Sequence, residues 1–226
     1  MKLTQKYFNR ICKQEFYKQK YRRINERSIE YKFVFQSLTK ICPIRILDVG
    51  TGTTALPSLL RTCGYLVTAI DNIKDYWTKG MFNRHYYVIN DDITGSKLNK
   101  EFDFIVCVSV LEHIENYNAA IKNVFKLLKK DGYLVLTFPY NEKNFIENVY
   151  KLPGAGYGQN WPWICRVFSR EQIDEWIETF NGKIIDQEFW QIFTGKYWTF
   201  GDMHYPPKQS NKEELHHLLC LLIQKL

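Results

Sequence analysis

Residues 45–57 read Arg-Ile-Leu-Asp-Val-Gly-Thr-Gly-Thr-Thr-Ala-Leu-Pro. Arg45 to Asp48 has the pattern of a buried strand ending in a carboxylate. Gly50 and Gly52 mark a tight turn, and an apolar helical pattern starts near Thr54. Strand, glycine turn and helix start together make a nucleotide-binding corner. Glycine lets the backbone approach a ligand closely, and a helix N-terminus carries unpaired N–H groups.

Outward from this corner the chain keeps a strand–helix rhythm. A helix is predicted over Thr54–Thr62, with Gly64 at its stop, then a strand over Tyr65–Ile70 ending at Asp71. A third strand, Tyr86–Ile89, precedes Asn90-Asp91-Asp92. The longest apolar run, Phe102–Val110, has the character of a central parallel strand. Helical spacing over Asn116–Lys129 leads through Asp131-Gly132 into a strand over Tyr133–Phe138, closed by Pro139. Strands alternating with helices predict an α/β fold, a doubly wound and mostly parallel sheet. Further strands are expected over Lys183–Trp190 and Thr194–Phe200. Glu213–Leu226 reads as an amphipathic helix on the sheet or against a partner subunit, which keeps a homodimer open.

Two stretches break the rhythm. Residues 1–40 read as a basic helical extension before a domain over 41–226. They hold eleven Lys or Arg against Glu15, Glu26 and Glu30, or +8, whereas the whole chain carries +7 and the remainder therefore −1. Such an arm suits RNA, an anionic membrane surface or plain solvent. Residues 141–168 read as a substrate lid, with Gly154, Gly156 and Gly158 among aromatic residues. Tyr140, Tyr150, Tyr157 and Trp161 are the expected acceptor pocket, and Ser169 with Gln172 reads as a capping box. The six cysteines form no C-x-x-C pair, the pattern of reduced, buried thiols. Without a signal-peptide pattern or 18 apolar residues in a row, a cytoplasmic protein with no membrane span is expected.

Gly50-Thr-Gly52-Thr-Thr-Ala55 satisfies G-x-G-x-x-A, and Asp71 stands where a dinucleotide-binding acid belongs. Three features point elsewhere. Asp48 places in the turn a carboxylate that would repel a pyrophosphate and attract an ammonium group. Asp92 follows the third strand, where it could accept from an adenine amino group. Ser109-Val-Leu-Glu-His113 closes the fourth strand. In this order and spacing, these elements over about residues 45–200 resemble the class I S-adenosylmethionine-dependent methyltransferases, in particular small-molecule members with Leu-Glu-His after the fourth strand.

The resemblance implies a Rossmann-like seven-stranded sheet whose last strand in sequence is antiparallel. It also implies S-adenosyl-L-methionine as cofactor. Asp48, Gly50, Thr51 and Gly52 would hold its methionine end, and Asp71 with Asn72 its ribose. Asp92 and the Ile93 N–H would read adenine, and Ser109 would line the floor near the sulfonium. The usual third glycine is Thr54 here. Each acid also has a structural reading, Asp48 and Asp92 as caps and Asp71 as a strand end.

His113 is the candidate base, since histidine titrates near neutral pH, though it could instead pin the loop. His85 and His204 are lesser candidates. Some relatives hold Mg²⁺ through Glu-x-x-Glu-His; here Ser109 replaces the first Glu, so no metal is expected. Arg27 would reach the cofactor carboxylate if the second N-terminal helix folds over the site. The expected activity is methyl transfer to an oxygen of a small polar acceptor of sugar or nucleotide-sugar type. An RNA methyltransferase using the basic arm, a dehydrogenase and a non-catalytic methyltransferase-fold protein are the alternatives. Nucleic acid is not the expected partner, because the Asn/Asp-Pro-Pro-aromatic signature is missing after the fourth strand.

Overall fold

The apolar runs of the sequence become the middle of one sheet. A computed structural model describes residues 2–20, 26–77 and 79–226. The strands are β1 (Arg45–Val49), β2 (Leu66–Asp71), β3 (Ile89–Asn90), β4 (Phe102–Val108), β5 (Leu128–Pro139), β6 (Gly182–Phe193), β7 (Met203–Ser210) and β8 (Leu218–Lys225). They lie in the order β3-β2-β1-β4-β5-β8-β6-β7. β1 to β5 pair in parallel, β8 runs antiparallel between β5 and β6, and β7 pairs antiparallel to β6 at the edge.

Alternation along the strands separates two cores, one on each face. Leu47, Val49, Ile105 and Cys107 face α4 (Tyr117–Leu127) and α5 (Arg170–Thr179), which supply Ile121, Val124 and Trp176. Ile46, Phe104, Val106 and Val108 face α2 (Arg27–Ile41) and α3 (Leu56–Thr62), which supply Phe33, Val34, Leu38 and Leu60. α2 thus belongs to the packed body through Ile29, Phe33, Val34 and Leu38, whereas α1 (Lys2–Tyr17) buries none of its residues. The capping box of Ser169 and Gln172 forms, with Gln172 Oε1 accepting from the Ser169 N–H at 3.0 Å. Among the described residues no helix is long and apolar enough to cross a membrane.

The alternating architecture and its antiparallel last strand follow the expectation. Several elements differ. Glu213–Leu226 is no helix: it holds strand β8, buried from Leu218 to Ile223 and paired on both sides. A run of Leu, Cys and Ile carries no period that distinguishes strand from buried helix, and two waiting strand edges decide it. Thr194–Phe200 is a turn region, with Thr199 at φ +68° and Gly201 at +74°. The hairpin partner lies later, in β7, where Pro206 and Pro207 argue against a strand but are tolerated on an edge. β7 brings the sheet to eight strands. β3 shrinks to Ile89–Asn90, and Cys12, Cys42 and Cys63 are exposed rather than buried.

Leu221, fully buried between β5 and β6, therefore tests the placement of β8. Leu221→Ala should cost about 2–5 kcal/mol in urea unfolding; a loss under about 1 kcal/mol would contradict a central strand here.

Candidate active site

The chain passes from β1 outward to β2 and β3, then returns across β1 to β4. This reversal opens a crevice beyond the carboxyl ends of β1 and β4, where ligands bind in such sheets. The first turn is built for it. Gly50 and Thr51 donate to the Ile70 carbonyl at 2.9 and 3.2 Å. Gly50 has φ +68° and Gly52 +55°, conformations that favour glycine, and a side chain at Gly50 would collide with Val110. Asn83 donates to the carbonyls of Gly52 and Thr54, both at 2.9 Å, while its own carbonyl accepts from His85 and Tyr86. Asn83 therefore pins the turn, a role that its distance in sequence concealed.

The acids predicted at successive strand ends come together as placed. Asp48, at the end of β1, is 2% exposed and accepts from the Thr51 hydroxyl at 2.9 Å. Burial, followed by the neighbouring Asp71, pushes its pKa up to about 7, against the lowering effect of Thr51 and Arg27. Asp71, ending β2, accepts from the Gly52 N–H at 2.7 Å and the Trp77 indole at 2.9 Å. Burial raises its pKa too. Asn72 donates to Asp92 Oδ2 at 3.1 Å. Asp92 Oδ1 caps the short 3₁₀ turn Ile93–Gly95 through the Thr94 N–H and hydroxyl, both at 2.8 Å. The capping role read for Asp92 is thus real, and Oδ2 is the oxygen it shares with Asn72.

Ser109, past β4 at φ +49°, turns its hydroxyl to Glu30 Oε1 at 2.5 Å. Glu30 is fully buried on α2 and also accepts from the Thr137 hydroxyl at 2.6 Å and from Arg27 at 3.1 Å. Arg27 donates as well to the Val108 carbonyl at 3.1 Å, and with Tyr31 it lines the crevice beside Asp48, Gly50, Thr51 and Thr54. The first turns of α2 thus border the crevice, while the rest of the helix packs along the sheet.

His113 is pinned through one ring nitrogen. Its Nδ1 lies 2.6 Å from the Ile164 carbonyl, which can only accept, so Nδ1 carries the proton and Nε2 keeps its lone pair. Burial lowers its pKa and favours the neutral ring. Glu112 is the residue that the sequence reading passed over. It is 3% exposed, its Oε1 lies 3.8 Å from His113 Nε2, and its buried Oε2 has no hydrogen-bond partner among the described residues. Burial pushes its pKa to about 8. His85 is exposed, and His204 lies on β7 with β5, β8 and β6 between it and β4.

The aromatic pocket divides. Tyr150, Tyr157, Trp161 and Trp163 form a chain of ring contacts at 5.2–6.0 Å. Tyr140 is instead buried in the core on the other face, stacked on His216, and leaves the expected group. β5 continues straight into it, so its side chain follows the strand alternation rather than the loop.

A family model described as a methyltransferase domain matches residues 17–187. The chain belongs to this family. Ubiquinone biosynthesis O-methyltransferase of Rickettsia typhi is 30% identical over 127 residues, 51% of this chain and 50% of that protein. Its namesake from Coxiella burnetii is 29% identical over 136 residues, covering 57% and 56%. The chain spans about half the length of the curated relatives it matches. A crystal structure of a S-adenosylmethionine-dependent methyltransferase from Clostridium acetobutylicum has a TM-score of 0.55 at 15% identity, over 99% of both chains. Burkholderia thailandensis 1,6-didemethyltoxoflavin-N1-methyltransferase reaches 0.58 at 15%, over 89% and 79%. These structural likenesses concern the fold of the methyltransferase domain.

Asp48 and Glu112 keep protons that the unfolded chain releases near pH 4, so they favour folding below that pH. This contribution is lost as pH rises towards about 7 and 8. In thermal melts without ligand, Asp48→Asn should gain on the wild type as pH rises from 4.5 to 8.5. A difference between the two that does not change with pH would refute the buried acid.

Proposed function

We propose that this methyltransferase-domain chain moves a methyl group from S-adenosyl-L-methionine to an oxygen of a small polar acceptor of sugar or nucleotide-sugar type. The observation that carries this reading is the pair of buried acids, Asp48 and Asp71, on either side of the Gly50–Gly52 turn. An ammonium group suits Asp48, whose burial leaves it short of positive charge, and a vicinal diol suits Asp71 once Trp77 gives way. Arg27 faces the same crevice and suits a carboxylate. Asn72, Asp92 and the Ile93 N–H would hold the adenine side, and Thr51 keeps Asp48 oriented. Ser109 acts through Glu30, holding the floor beneath the reacting atoms. The buried acids and the glycine cradle fit a ligand that is cationic at one end and carries a diol.

When bound, the cofactor supplies an electrophilic methyl on a sulfonium, open to in-line displacement. The chain's work is then alignment and water exclusion. Tyr150, Tyr157 and Trp161 offer flat apolar walls on which a sugar or ring face can rest. His113 Nε2 takes the acceptor's hydroxyl proton, with Nδ1–H held by Ile164 so that the ring cannot turn its other nitrogen inward. Glu112, mostly a neutral acid at pH 7, avoids placing a second fixed charge beside the imidazole. The naming of the curated relatives for O-methyl transfer favours oxygen over nitrogen as acceptor.

Calorimetry with S-adenosylhomocysteine tests the cofactor. Micromolar binding is expected, weakened about tenfold or more by Asp71→Ala, which is about 1.4 kcal/mol. Binding of NADH with none of the homocysteine compound would make the chain an oxidoreductase. Methyl transfer to a panel of sugars, nucleotide-sugars and phenols then tests the acceptor, and His113→Ala should cut kcat by about 10²–10⁴-fold on the true one.

A further inference from the structure

Arg166, three residues after Trp163, is a cation that the site described so far does not use, and it is buried. Taking a guanidinium out of water is costly unless its donors are used, and an apolar side chain would fill the same space without that cost. The donors of Arg166 converge on one turn. Its backbone N–H donates to the Glu112 carbonyl at 3.0 Å. Its guanidinium donates to the Ile114 carbonyl and, at 3.1 Å, to the Glu115 carbonyl. One residue thus takes three of the four carbonyls of residues 112–115, the turn that carries His113. The same guanidinium pairs with Glu147, three residues before Tyr150, and lies 5.1 Å from the centre of the Tyr117 ring. Its Nε–H is buried with no hydrogen-bond partner among the described residues, so its place suits the carbonyls better than the arginine itself.

We propose that Arg166 is a positioning residue for methyl transfer, a latch that joins the aromatic loop to the turn after β4 and sets where the His113 imidazole stands. The inference rests on the reading of His113 as the base. The segment that bears Arg166 is held on two sides. Towards the loop, Ile146 and Val167 exchange backbone hydrogen bonds at 2.9 Å, and Val149 donates to the Cys165 carbonyl at 2.9 Å. These bonds tie it to the stretch that leads into Tyr150, Tyr157 and Trp161. Towards the turn, the Ile164 carbonyl accepts from His113 Nδ1, two residues before Arg166. That single bond contributes little net stability, whereas a planar guanidinium fork spans neighbouring carbonyls and is pre-organised to do so. An apolar residue at 166 would leave the Ile114 and Glu115 carbonyls without these donors. The turn would then shift to reach water, carrying with it the imidazole and the Glu112 carboxyl 3.8 Å away.

Nitrogen NMR of the histidine side chains in the full chain reads the latch without calling on methyl transfer. In the wild type, His113 should hold its proton at Nδ1 and titrate below the ordinary value of 6.5. In Arg166→Met the proton should exchange between both nitrogens, and the titration should move up towards that value as the ring gains water. Arg166→Lys should fall between the two, since one ammonium cannot serve both carbonyls and Glu147 in the geometry of the fork. His217 on β8 is the internal reference. Its Nδ1 accepts from the Ile192 and Phe193 N–H groups and its Nε2 donates to the Gly195 carbonyl, so its proton should stay at Nε2 in every variant. Binding of S-adenosylhomocysteine should also be retained. Wild-type His113 signals in folded Arg166→Met would overturn the latch, and if that variant does not fold, the same result in Arg166→Lys would do so. Changes at His113 and His217 together would overturn it as well, and make Arg166 a general support of the fold. Methyl transfer that survives His113→Ala would overturn the base instead, while these signals still decide whether Arg166 holds the ring.

Discussion

Buried carboxyl groups at the carboxyl edge of the parallel strands constrain everything around them. Asp48, Asp71, Glu30 and Glu112 are all under 10% exposed there. Arg27 acts electrostatically on Asp48, Glu30 and Glu112 alike. Burying a carboxylate without a partner costs several kcal/mol, so such groups either take up a proton or find donors. Both outcomes occur here. Asp71 and Glu30 collect hydrogen bonds, while burial moves Asp48, Glu112 and Asp71 towards their neutral forms. A site with this balance gains from a ligand that brings positive charge, and an ammonium–sulfonium ligand brings two.

Glu30 shows how the fold serves that balance. Its carboxylate accepts from Ser109, Thr137 and Arg27, and so ties α2 to the ends of β4 and β5. The apolar side of α2 sits in the core through Phe33, Val34 and Leu38, which fixes the helix along the sheet. Core packing and a buried polar knot therefore hold Arg27 and Tyr31 at the crevice. Losing Glu30 would leave Arg27 with one fewer partner and free the serine on which the turn after β4 depends.

Elements dictated by local chemistry were legible in the sequence. The strand–glycine turn–helix corner, the acids Asp48 and Asp71, the run at 102–110 and the Ser169 capping box all stand where their residues predict. What escaped depends on contacts distant in sequence. β8 is a strand because β5 and β6 leave an opening for it, not because Leu218–Ile223 alternates. Asn83 reaches back some thirty residues to Gly52, and Glu30 reaches strands 79 and 107 residues away. Glu112 stands inside the Leu-Glu-His motif, yet only the folded structure shows its oxygen without a partner among the described residues. Tyr140 borders the aromatic loop in sequence, but strand alternation puts it on the other face.

In the site we propose, Asp48 is a buried acid whose pKa is pushed up to about 7, so that part of it must ionise to receive an ammonium group near neutral pH. S-adenosylhomocysteine binding near pH 7, measured by calorimetry in buffers of differing ionisation enthalpy, addresses it directly. Proton release on binding is predicted, with affinity rising from pH 6 to 8 and the linkage lost in Asp48→Asn. Binding of equal strength across that range, with no proton exchanged, would contradict the account.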